Sequence, residues 1–486
     1  MLQSTRNKNL TAQPSEAVLN GLAPDGGLYI PRSFPCFDWK KVIGMDALSI
    51  AVEVLNAVLD DYGKETVKDL VEKAYRGKFE TEDLTPLVPV GDSYVLELFR
   101  GPTSAFKDVA LSMLPHLMSE ARKKHGITDE IVILTATSGD TGKAALEGFH
   151  DVEGMKIAVF YPDGGVSRTQ RMQMVTQEGK NVFVSAIRGN FDDAQSGVKA
   201  IFRKVSEEKL LKGKGARLSS ANSINIGRLA PQITYYFKAY GDLVRLGRIS
   251  CGDKVDFTVP TGNFGDILAG YFAKKMGLPV GNLVCASNRN SVLTDFIRTG
   301  TYDKRRPFYK TTSPSMDILV SSNLERLLFL LSDQNDVLVA SLMKDLAEKG
   351  VYSVPESLKE KLQAEFSAAF ATDEEAAKTI FRTYTENGYL ADPHTAVALK
   401  AAKEEKKENV MVVLSTASPY KFSAAVLEAL GEKAPSDEFD CMARLSEKTG
   451  VPIPKNLAGL KNKKILHDSV IEKEEMLSYV LKCAEE

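Results

Sequence analysis

The chain has 486 residues, 43% of them hydrophobic and 26% charged, which is ordinary globular composition and enough length for about three domain-sized units. With 62 basic and 64 acidic side chains the formal net charge is -2. That balance argues against a nucleic-acid or acidic-membrane binder, so any anion must be gripped locally. The five cysteines (Cys36, Cys251, Cys285, Cys441, Cys483) have no CxxC spacing and the five histidines no metal spacing, which argues against a disulfide framework and a zinc site. No apolar stretch approaches the roughly 20 residues of a membrane span, and no signal core follows Met1 to Lys8. A cytoplasmic protein is the expectation.

Residues 1–90 are expected to form an N-terminal domain. A turn at Ala23-Pro24-Asp25-Gly26-Gly27 precedes Leu28 to Pro31, and helical periodicity runs over Ala47 to Leu59 and Lys64 to Tyr75. From Ser93 short apolar runs alternate with amphipathic stretches: Tyr94 to Leu98, Ile131 to Thr135, Lys156 to Tyr161, Asn181 to Val184, Val255 to Val259, Leu283 to Ala286 and Val410 to Leu414. Such a pattern is the sequence form of parallel α/β sheets covered on both faces. Two sheets are expected, in domains 91–245 and 246–486, with linker texture at Gly247 to Asp253 and Gly300 to Pro314.

Four segments carry chemistry. In Gly101-Pro102-Thr103-Ser104-Ala105-Phe106-Lys107-Asp108, Thr103 or Ser104 can cap a helix with the apolar stripe Val109, Met113, Leu114, Leu117, which puts Lys107 in its first turn. There the helix dipole disfavours an ammonium and helps supply the free amine that Schiff-base formation needs, unless Asp108 pairs with it. Thr135-Ala136-Thr137-Ser138-Gly139-Asp140-Thr141-Gly142-Lys143 is a hydroxyl- and glycine-rich strand-to-helix turn, suited to a small anion. It is not a nucleotide loop, because Ala144 stands where a magnesium-binding Ser or Thr should follow Lys143. Pro260-Thr261-Gly262-Asn263-Phe264-Gly265-Asp266, between a strand and the helix expected over Ile267 to Met276, is a second anion cradle. Thr416, in Leu414-Ser415-Thr416-Ala417-Ser418-Pro419, falls at the carboxyl end of a parallel strand, where α/β sites gather. Among the histidines, His394 in Ala391-Asp392-Pro393-His394-Thr395 is the one to watch.

The motifs GPTSAFKD, TATSGDTGKAAL, YPDGGVSRTQRMQM, SANSINIGRLAPQ, PTGNFGD, SSNLERLLF and GYLADPHTAVA, in this order, resemble threonine synthase of the bacterial and fungal type, and the resemblance runs nearly the full length. It implies a fold-type II pyridoxal-phosphate enzyme, with the cofactor between two α/β domains and an added N-terminal domain. By resemblance Lys107 carries the cofactor as a Schiff base and shuttles protons at the α- and β-carbons. Gly262, Asn263, Phe264 and Gly265 hold the cofactor phosphate, and Thr416 faces the pyridine nitrogen. The implied reaction takes O-phosphohomoserine and water to threonine and phosphate. Ser138, Asp140, Thr141, Lys143, Asn225 and Arg228 are expected to border the substrate by motif position. Arg100 and Ser418 stand where the family often has histidine, which keeps a phospho-lyase releasing a 2-oxo acid as the alternative, with a catalytically silent relative as a further one. The expected partner is a small molecule only, with neither nucleic acid nor membrane, in a monomer or homodimer.

Overall fold

A computed structural model describes residues 1–485. The first part of the chain forms a small antiparallel sheet of Thr11–Ala12, Leu2–Ser4 and Tyr29–Pro31, followed by helices Ala47–Val58 and Lys64–Tyr75. Both helices have one buried apolar stripe. They pack on the long helices Ile226–Arg245 and Lys107–Lys124 respectively, which fastens this unit to the core.

Most of the remaining strands form two sheets, parallel but for one edge pair. The larger runs in the order Phe366–Phe370, Val280–Ser287, Val255–Pro260, Val410–Ser415, Ser93–Glu97 and Leu87–Val90, and only the last pair is antiparallel. The smaller runs Val470–Ile471, Val182–Ile187, Met155–Pro162, Glu130–Ala136 and Ala216–Ser220, parallel throughout. Met155–Pro162 and Val255–Pro260 are buried at every position, as strands with helices on both faces must be.

Sheet membership departs from the expected division at residue 245. Ser93–Glu97 pairs with Val410–Ser415 and so belongs to the larger sheet. The smaller sheet is built from 130–220 and receives its edge strand, Val470–Ile471, and a covering helix, Met476–Glu485, from the C-terminus. Parallel strands need a crossover rather than adjacency in sequence, so periodicity locates strands without saying which sheet they join. Gly300 to Pro314 is not a linker either. Thr301–Asp303 pairs with Val351–Ser353, and the segment leads into Pro314–Met316, which packs against the second cradle.

The helix that begins at Lys107 is set against the helix Asp140–Phe149 by two special residues. Pro115 lacks the N–H that would bond the Leu111 carbonyl one turn back. Gly148 packs onto that carbonyl so closely that an added Cβ would lie 2.0 Å from its oxygen. Among the described residues no helix is long and apolar enough to cross a membrane.

Candidate active site

Lys107 is the first residue of its helix, as expected, but the capping is reversed. Instead of Thr103 or Ser104 capping the helix, the Asp108 carboxylate reaches back to the turn, accepting from Thr103 N at 2.8 Å and from Thr103 Oγ1 at 2.5 Å. Burial raises the Asp108 pKa to about 6 against those hydrogen bonds. The turn is held from the larger sheet as well: Phe106 N donates to Thr416 O at 2.8 Å and Ser418 N to Ser104 O at 3.1 Å. Thr416, the residue after strand Val410–Ser415, therefore lies directly on the lysine loop, with its side chain buried.

Lys107 is 9% exposed, and its pKa falls to about 8. Burial is the main cause. Asp140 works against the shift, while Lys421 and Arg228 reinforce it. These four side chains form the electrostatic centre of the site. Asp140 opens its helix and pairs with Lys421 at 2.6 Å, both side chains almost wholly buried, and Gln170 Nε2 donates to the same carboxylate at 3.0 Å. Burial opposes the Asp140 charge, but Lys421 and Lys107 outweigh it and keep the carboxyl ionised well below the usual range. Lys421 Nζ also donates to Thr103 O at 3.2 Å, so one side chain ties the lysine turn to the Asp140 turn. Sequence reading missed Lys421. Its only signal is a lysine within the short turn Pro419–Phe422 that follows Thr416.

Arg228 is buried, with NH1 donating to Ala221 O at 2.7 Å and Nε without a partner. Its pKa drops to about 10 through burial, and no carboxylate offsets the loss. A buried guanidinium with a free donor is a built demand for an anion. The other expected substrate residues divide. Ser138 is exposed and Thr141 half-buried beside Asp140. Lys143 turns to Glu147 at 2.8 Å and to Gln177, so its charge is already paired. The Asn225 amide is spent on the fold, accepting from Gly227 N and donating to Val18 O, both at 2.9 Å. In the Asp140 turn Gly139 has φ 139°, which favours glycine, and a Cβ there would displace the Gln170 amide, 2.3 Å away, that bonds Asp140.

The second cradle joins Val255–Pro260 to helix Gly265–Lys275. Its carbonyls are turned outward: Gly262 O accepts from Ser321 Oγ at 2.8 Å, and Asn263 O from Asn323 N at 3.1 Å and Nδ2 at 3.0 Å. In a trans peptide the next N–H points the opposite way, so Asn263 and Phe264 aim their amides to the other side, at the helix N-terminus. A Cβ on Gly262 would lie 2.6 Å from Ser315 O. Ser315 is itself fixed through its N–H by His394 Nε2 at 3.2 Å, whose Nδ1 lies 2.6 Å from Asp392 Oδ2. His394 thus serves the cradle from behind. Asp266 sits in the first turn of the helix, bonded by the Tyr235 and Tyr236 hydroxyls through one oxygen, with the other unpartnered. Burial lifts its pKa to about 7.

Models of three families match the chain: "Pyridoxal-phosphate dependent enzyme" over residues 81–416, "Threonine synthase N terminus" over 1–75 and "Threonine synthase, C-terminal" over 395–472. Threonine synthase of Pseudomonas aeruginosa is 41% identical over 440 residues, covering 89% of this chain and 91% of that one. The chain belongs to the threonine synthase family of pyridoxal-phosphate dependent enzymes. A crystal structure of pyridoxal-phosphate-bound threonine synthase from Brucella melitensis matches with a TM-score of 0.89 at 37% identity, over 100% of this chain and 99% of that one. "Threonine synthase-like 1" of Homo sapiens is 40% identical over 431 residues, 86% of this chain, but the chain covers only 58% of that protein's length. The fold is that of the fold-type II threonine synthases, and the cofactor is pyridoxal phosphate. The residues fit it: a buried amine of depressed pKa, an amide-lined cradle and a buried cation with an unpartnered donor. Of the two departures from the family pattern, Arg100 pairs with Glu97 and Glu80, and Ser418 caps the turn at Tyr420 N.

Proposed function

We propose that this chain is a working threonine synthase, converting O-phospho-L-homoserine and water into L-threonine and phosphate, with Lys107 as the reacting lysine. The observation that carries the reading is the buried Lys107 amine beside the Asp140–Lys421 pair and the unpaired Arg228. When bound, pyridoxal phosphate supplies an electron sink conjugated to the substrate nitrogen.

The protein's own groups do the rest. The Lys107 amine, near half neutral at pH 8, takes the proton from the substrate α-carbon and moves protons at the β-carbon. Arg228, whose Nε has no partner, is the cation available to the phosphate at the γ-carbon, which matches a substrate that is itself an anion. Asp140 holds Lys421 in place and keeps the cluster from self-repulsion. The amides after Gly262 and Asn263, with the Phe264 and Gly265 turn, would cradle the cofactor phosphate. Thr416, buried where its carbonyl meets the lysine loop, would offer a neutral hydroxyl to the pyridine nitrogen, a partner that does not hold that nitrogen protonated as a carboxylate would. Ser138 and Thr141 are the accessible hydroxyls of the Asp140 turn and would meet the substrate there. After phosphate leaves, water adds at the β-carbon.

Purified protein given pyridoxal phosphate and O-phosphohomoserine is expected to release threonine and phosphate in equal amounts, and Lys107→Ala to release neither. Phosphate accompanied by 2-oxobutyrate would make it a phospho-lyase, and no phosphate at all would leave a silent relative.

A further inference from the structure

We infer that Asn456 is a positioning residue for the reacting lysine, holding Ser104 from the C-terminal segment in the conformation that aims Lys107 into the site. The inference rests on the reading of Lys107 given above. Ser104 is fully buried and has φ +60°, a left-handed conformation that a serine adopts only when its surroundings enforce it. It stands three residues before Lys107, where the chain must reverse so that Lys107 becomes the first residue of its helix.

The enforcing side chain is Asn456. Its Nδ2 donates to Pro102 O at 2.8 Å and lies 3.0 Å from Ser104 Oγ, while its Oδ1 accepts from the same hydroxyl at 3.1 Å. One amide therefore grips both sides of the turn. Asn456 lies in the short helix Lys455–Ala458, anchored by the fully buried Leu457. The segment leading to it is fixed to the smaller-sheet unit. Glu438 caps helix Arg168–Val175 by accepting from Arg168 N and Thr169 N at 2.9 Å and from Thr169 Oγ1 at 2.8 Å, and Asp437 pairs with Arg168. Residues 437–458 thus run from that helix to the lysine turn and set one relative to the other.

Absorbance titration of the cofactor-free protein with pyridoxal phosphate reads the Schiff base without requiring turnover. Asn456→Ala is expected to raise the Kd about tenfold, while the melting temperature of the cofactor-free protein stays within about 2 °C. Adding Ser104→Gly is expected to restore most of the affinity, because glycine takes positive φ at no steric cost. A purely structural role would not be rescued in that way. An unchanged Kd in Asn456→Ala, or a double variant no better than the single one, would overturn the inference. Should Asn456→Ala fail to fold, the isosteric Asn456→Asp loses the donation to Pro102 O and must weaken the Kd likewise; an unchanged value there overturns the inference equally. Lys107→Ala separates the two readings. A Schiff-base band that survives in it refutes the role of Lys107, whereas an unchanged Kd in Asn456→Ala with that band abolished refutes only the role of Asn456.

Discussion

Replacing Lys421 by methionine strikes the electrostatic centre of the site. Its ammonium sits 2.6 Å from the Asp140 carboxylate with both side chains almost wholly buried, so the variant strands a carboxylate away from water. Breaking a buried pair by removing one partner costs about 3–5 kcal/mol, far above the worth of a surface pair. For 486 residues melting as one unit the unfolding entropy is roughly 1 kcal/mol per kelvin, so calorimetry of the cofactor-free protein is expected to show a fall of about 3–5 °C. Lys421→Met with Asp140→Asn removes both charges and is expected to lose less than Lys421→Met alone. The pH dependence follows from the sign of the Asp140 shift. Its folded pKa lies below the unfolded value, so the stability it contributes is present above about pH 4 and is lost as pH falls further. In Lys421→Met the stranded Asp140 can relieve itself by taking a proton, so the deficit against the parent should be larger at pH 8 than at pH 5. A variant as stable as the parent, or a double variant losing the sum of the single losses, would refute this view of the pair.

Other substitutions probe the site and its scaffold. Arg228→Met is expected to leave the cofactor-free protein as stable or more so, while abolishing the protection that inorganic phosphate gives in a thermal-shift assay and raising KM for phosphohomoserine; retained phosphate protection would count against an anion role for Arg228. Gly148→Ala forces a Cβ against the Leu111 carbonyl and should cost about 1–3 kcal/mol by denaturant unfolding, whereas Gly459→Ala, which meets nothing, should be near neutral. Asp266 has a folded pKa raised to about 7, so its contribution to stability is complete below its unfolded pKa, about 4, and is lost as pH rises toward 7. Asp266→Asn should flatten the decline in stability between pH 5 and 7 by up to about 1.4 kcal/mol per pH unit, and an unchanged slope would place the carboxyl's pKa near its ordinary value.

The local structure was largely legible in the sequence. The buried strands read as uninterrupted apolar runs, and helix Lys64–Tyr75 has the bounds its periodicity gave. Ala216–Ser220 and Phe366–Phe370 escaped notice because the first is polar and the second is short and rich in small residues. Sheet membership escaped for a different reason. Nothing in Tyr94 to Leu98 says that its neighbour lies more than 300 residues later, at Val412 to Ser415. The same distance hid Lys421 and Asn456, which reach the lysine turn only after the chain has folded back on itself. Asn225 and Lys143 were placed at the substrate by motif position, and the structure shows their polar groups engaged with Val18, Gly227, Glu147 and Gln177. A motif records which side chains recur, and those that hold the backbone recur as firmly as those that meet a ligand.

The site turns on Lys107, and trapping with borohydride tests that most directly. Reduction of the holoenzyme followed by peptide mass mapping is predicted to find the pyridoxyl group on the peptide containing Lys107, at close to one group per chain. Label on Lys421, Lys143 or any other lysine, with Lys107 unmodified, would contradict the account of the site.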